Sequence, residues 1–99
     1  MAATIDEISI AYEDDSGEKV KELSREVLSK GAWTTIMFLY QEMDTASGDF
    51  GPPKVSIRRY QKSGGVFRQR SKFNISSAKQ AHAICDVLTR WYAGESESE

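Results

Sequence analysis

Ninety-nine residues, 39% hydrophobic and 28% charged, suit one soluble globular domain with a modest core. No apolar run approaches about 18 residues, which excludes a membrane-spanning helix, and the single cysteine, Cys85, excludes an internal disulfide. The net charge of −2 conceals a segregation, because residues 54–85 hold eight bases and no acid while residues 1–31 hold eight acids against four bases.

Residues 4–12 place Ile8, Ile10 and Tyr12 at alternate positions, a short strand signal. Residues 1–6 have no basic region followed by an apolar stretch, so no secretory leader is expected. Glu13, Asp14 and Asp15 then interrupt the strand, and Asp15 stands three residues before Glu18, a capping-box spacing. Val20, Leu23 and Val27 share one helical face and Gly31 is a C-terminal stop, so a helix is expected between Asp15 and Gly31.

Residues 33–43, WTTIMFLYQEM, are β-branched and aromatic and predict a central strand. Residues 44–53, DTASGDFGPP, predict a loop. Residues 54–62 and 66–75 predict two further strands, joined by Ser63-Gly64-Gly65, which supply the positive φ of a tight hairpin. A final helix starts at the Ser77/Gln80 capping spacing and carries a stripe of Ala81, Ile84, Cys85, Leu88, Trp91 and Tyr92. That stripe either packs on the sheet or, through Ile84, Leu88, Trp91 and Tyr92, joins two copies as a homodimer. Cys85 falls among its apolar positions, is expected to be a small core residue, and suits a reducing cytoplasm.

The expected fold is therefore α+β, an antiparallel three- to four-stranded sheet packed on a C-terminal helix, with an additional N-terminal helix. It forms a single domain over residues 1–93, an acidic segment 1–31 followed by a basic sheet and helix over 32–93. Residues 94–99, GESESE, predict a disordered acidic tail.

Strict alternation puts Val55, Ile57, Phe67, Phe73 and Ile75 under the helix. It puts Arg58, Tyr60, Lys62, Arg68, Arg70 and Lys72 on the opposite face, and leaves Arg59 at a strand end or edge. A merely solvated face mixes both signs, and this one carries cations alone. Phosphate neutralisation by the Arg and Lys side chains and base stacking by Tyr60 make single-stranded DNA or RNA the expected partner. An acidic protein surface is the alternative. The acidic residues 1–31 could instead fold over the basic face and compete with the ligand.

Residues 33–88 resemble the transcriptional positive cofactor four family, especially its short bacterial relatives. The matching stretches are KVSIRRY (54–60), KSGG (62–65) and RSKFNISSAKQ (70–80), with Trp33 where bacterial members often open their first long strand. The resemblance implies a twisted sheet backed by a helix, dimerisation through that helix, and single-stranded DNA on the sheet, with Arg58, Tyr60, Arg68, Arg70 and Lys72 as contacts. Arg59 stands where that family has an acid. Counted over residues 17–92, the predicted order helix–strand–strand–strand–helix also resembles double-stranded RNA-binding domains, with Ser76-Ser77-Ala78-Lys79 in place of their lysine pair.

No catalysis is expected. His82 is the only histidine, and no Cys/His cluster has metal-ligand spacing. Asp14-Asp15 and Asp44/Asp49 read as turn and capping residues. No cofactor, metal, membrane or small-molecule substrate is expected.

Overall fold

The computed structural model describes residues 2–95, an α+β fold of five antiparallel strands in one sheet followed by one helix. The strands β1 (Tyr12–Asp14), β2 (Gly17–Ser29), β3 (Trp33–Glu42), β4 (Lys54–Ser63) and β5 (Val66–Ile75) lie across the sheet in chain order. Helix α1 (Ala78–Trp91) follows. Of the expected acidic tail, residues 96–99 lie outside the described residues.

The expected N-terminal helix is a strand, and the sheet has five strands rather than three or four. The only helical turn before β1 is a 3-10 turn at Ile5–Glu7. The apolar spacing of Val20, Leu23 and Val27 arises from bulges. Glu22 pairs with Tyr40 and Ser24 with Leu39, which leaves Leu23 unpaired; Val27 pairs with Ile36 and Ser29 with Thr35, which leaves Leu28 unpaired. Each extra residue shifts the alternation by one, so a period of two reads as three or four. Leu23 and Leu28 accordingly stand exposed, while Val27 faces the core. The helix–strand–strand–strand–helix order of double-stranded RNA-binding domains is thereby absent.

The β3, β4 and β5 expectations hold. Trp33–Glu42 is central and lies between β2 and β4. Ser63 pairs with Val66, and Gly64 and Gly65 between them have φ of 62° and 82°. Positive φ at both central positions makes the tight hairpin turn that matches strand twist, which residues without glycine's freedom adopt at a cost. At the start of α1 the Ser77 hydroxyl accepts from the Gln80 N–H, and the Gln80 side chain accepts from the Ser76 N–H and hydroxyl.

The core lies where the N-terminal segment crosses the sheet. Ile8 and Ile10 are buried against Ile36, Phe38, Tyr40 and Tyr60, with Ala2, Ile5, Val20, Val27 and Phe67 packed around them. The alternate spacing of Ile8 and Ile10 is thus a buried extended segment, and the exposed Tyr12 opens β1. We call residues 2–10 the strap, and the face they cover the inner face. The helix, expected on the sheet, is not its cover. None of its residues is buried, and its principal contact is with β5, from which only Ser76 and Ser77 separate it. Cys85, expected in the core, is exposed for the same reason.

Candidate nucleic-acid interface

Directly opposed residues of antiparallel strands point to the same side of the sheet. Arg58 pairs with Ile36 and Tyr60 with Thr34, so both share the inner face with that buried row. Lys72 pairs with Arg58, Gln69 with Tyr60 and Phe67 with Lys62, which adds Lys62 and Lys72 to the inner face. Arg59 pairs with Thr35 on the outer face. Arg68 pairs with Gln61, and the Arg70 Nε donates to the Gln61 Oε1 at 3.1 Å, so Arg68 and Arg70 also lie on the outer face.

The six sequence-predicted binding residues therefore divide. Arg58, Tyr60, Lys62 and Lys72 share the inner face, and Arg68 and Arg70 share the outer one. The cause is one bulge, because Arg59 pairs with Ser71 and Tyr60 with Gln69, leaving Arg70 between them unpaired. It also brings Phe67, expected under the helix, to the inner face beside Tyr60. The β4–β5 ribbon is in consequence basic on both sides, with Arg58, Lys62 and Lys72 on one and Arg59, Arg68 and Arg70 on the other.

Among the described residues, no carboxylate oxygen lies within 4.0 Å of these six cations; the only ion pairs are Arg25–Glu22 and Lys54–Glu42. Neutral groups hold Arg58 and Arg70 instead. Arg58 is half-buried, and its Nε donates to the Ser56 hydroxyl at 3.1 Å while its NH1 donates to the Gln69 Oε1 at 3.2 Å. Ser56 is buried and bonded to the Asn74 side chain at 2.7 Å. This chain fixes the Arg58 guanidinium without neutralising it.

Tyr60, expected to stack a base, is 6% exposed and lies beneath Ile8. Burial pushes its phenol above the usual tyrosine range, against the opposing pull of the nearby Arg58. In this conformation little of its ring is accessible to a base. An exposed aromatic beside the cations is Trp33, 41% exposed, with the Arg59 guanidinium 4.6 Å from its ring centroid; Phe73 on β5 is exposed on the same face. Sequence reasoning left Arg59 without a face. The signal was available in the alternation of β4, which puts Arg59 on the face of Val55 and Ile57; the register then sets it two residues from Gln61, the partner of Trp33.

Hydrogen bonds hold the strap across the inner face. The Arg25 guanidinium donates to the carbonyls of Ile5 and Ile8, and it pairs with Glu22 at 2.7 Å. Glu22 accepts from the Ser9 hydroxyl at 3.1 Å and the Ile10 N–H at 3.3 Å. The Phe67 N–H donates to the Ala2 carbonyl at 2.8 Å. Within the 3-10 turn, Glu7 accepts from the backbone N–H groups of Ala3 and Thr4 and from the Thr4 hydroxyl, which hold its carboxyl below the usual range. Asp14 is likewise lowered by the Ser16 hydroxyl and N–H, which accords with its expected turn role.

The residues expected at a dimer interface, Ile84, Leu88, Trp91 and Tyr92, lie at the open end and side of α1. Ile84, Leu88 and Trp91 line an apolar groove with Gln80, Ala83 and Val87, while Tyr92 caps the helix, with Trp91 71% and Tyr92 65% exposed. Leu39 and Phe73 on the outer sheet face are also exposed. No helix is long and apolar enough to cross a membrane among the described residues, and no three His, Cys, Asp or Glu side chains there are grouped to hold a metal ion. No protein-family model, curated protein or solved structure matches the chain.

Proposed function

We propose that this chain binds single-stranded nucleic acid along the β4–β5 ribbon, as a homodimer and without catalysis. The observation that carries the reading is the set of six cations on two adjacent strands, none with a carboxylate partner among the described residues. Such a ribbon has a local positive field that attracts a polyanion and is screened by salt. β5 is the edge strand of the sheet, so a flexible single strand can follow its edge and meet the cations of both faces. A stiff duplex cannot bend around so narrow a ribbon. Trp33 offers a part-exposed ring for a base to stack on, with the Arg59 guanidinium over the ring. Phosphate contacts dominate, so sequence preference is weak. The likeness of residues 33–88 to the positive cofactor four family supports a transcription-associated role, and the unpaired thiol of Cys85 suits a reducing cytoplasm.

The test is oligonucleotide binding by fluorescence anisotropy over a range of salt. Single strands should bind more tightly than duplexes, and log K should fall linearly with log salt, with a slope of about 0.7 per phosphate neutralised. Absence of binding to any strand at low salt would remove the reading and leave an acidic protein surface as the partner of these cations.

A further inference from the structure

We propose that the strap, residues 2–10, is a displaceable cover that occupies the nucleic-acid face and is exchanged for the bound strand. This rests on the nucleic-acid reading. The strap crosses the part of the inner face where the rings of Phe38, Tyr40 and Tyr60 lie, flanked by the cations Arg25, Arg58, Lys62 and Lys72. Rings between cations are what a single strand requires, bases on the former and phosphates on the latter. The strap has the matching chemistry in peptide form. It is short and largely extended, its only charged side chains are the acids Asp6 and Glu7, and it sets Ile8 and Ile10 on the rings.

Its polar attachment is sparse, and its hold on the sheet is chiefly the burial of Ile8 and Ile10. It forms no strand of the sheet. Its hydrogen bonds to the sheet go to two side chains, Glu22 and Arg25, and to one edge amide, that of Phe67. Because it lies outside the ladder it can open without breaking strand pairing, and the main cost of opening is uncovering Ile8 and Ile10. An open cleft of about 610 Å³, lined by Ala2, Glu7, Ile8, Ser9, Tyr60 and Phe67, lies beside its N-terminal half. The ammonium of Lys62 stands 5.5 Å from the Phe67 ring centroid at that mouth. Release would uncover three aromatic rings. It would also release the Arg25 N–H groups now donated to the strap's carbonyls, the Glu22 ion pair remaining beside them.

The experiment is hydrogen exchange on the full chain, with and without a saturating thymidine oligonucleotide, joined to anisotropy on the charge-neutral variant Ile8→Ala. Strap exchange at Ile8 and Ile10 should accelerate on binding while β3 and β4 remain protected. Ile8→Ala should bind about tenfold tighter, because the cover then occupies the face for less of the time. A strap that only supports the core would give equal or weaker binding in this variant. Binding with unchanged protection of Ile8 and Ile10 would overturn the strap proposal and leave the binding function intact. No binding by either protein would remove both.

Discussion

Trp33 and Arg70 separate the two contributions expected at the interface. Trp33→Ala removes an exposed ring and no charge, so binding should weaken by about 1–3 kcal/mol with the salt slope unchanged. Arg70→Ala removes one phosphate contact, so the slope should flatten by about 0.7. Anisotropy titrations at four or five salt concentrations distinguish them, and equal, salt-independent losses would show that neither side chain touches the strand. Tyr60→Ala belongs to a different category. Its ring is buried with Phe38 and Ile36, so the variant should lose about 3–5 kcal/mol of stability in urea unfolding.

At the scale of elements, most of the sheet was legible and the first third of the chain was not. Residues 33–75 announced three strands because they are rich in β-branched and aromatic residues and Gly64-Gly65 can take the positive φ that a two-residue hairpin turn needs. β2 was misread because its two bulges with β3 imitate helical spacing, and bulges belong to the pairing, which local sequence does not specify. The same cause divided the candidate site. The charge of β4 and β5 was evident in the sequence, but the single extra residue at Arg70 moves Arg68 and Arg70 to the other side. The burial of Tyr60 was likewise hidden, since the covering Ile8 and Ile10 lie some fifty residues away in the chain. What crosses the inner face is the strap, and it packs there through Ile8 and Ile10, with its acids, among the described residues, paired to none of the cations of β4 and β5.

For the molecule as a whole, the unresolved balance is apolar surface. The strap serves the inner face, while Met37, Leu39, Val55, Ile57 and Phe73 on the outer face and the stripe of α1 go without a cover of their own. Two short serines keep α1 near β5. A second chain related by a two-fold axis would cover these surfaces reciprocally, each helix serving the other sheet. Sedimentation equilibrium should report about twice the 11.1 kDa chain mass, and Trp91→Ala should shift it toward the monomer. A monomer persisting at high concentration would refute the pairing while leaving the basic ribbon unaffected.

The bulges of β2 have a consequence for the length of the chain. Excising a residue from within a strand ordinarily inverts every side chain beyond the cut. Leu23 and Leu28 are exceptions, since neither has a partner on β3 and both stand exposed. Without Leu23, Glu22 would be followed by Ser24 and Arg25, already in uninterrupted register with Tyr40, Leu39 and Phe38. A chain one residue shorter should therefore fold with Glu22 and Arg25 still beneath the strap, whereas deleting the adjacent Arg25 should not give a cooperative melt. Natural length variation in this strand would be expected at these two leucines, where the sheet holds residues it can return.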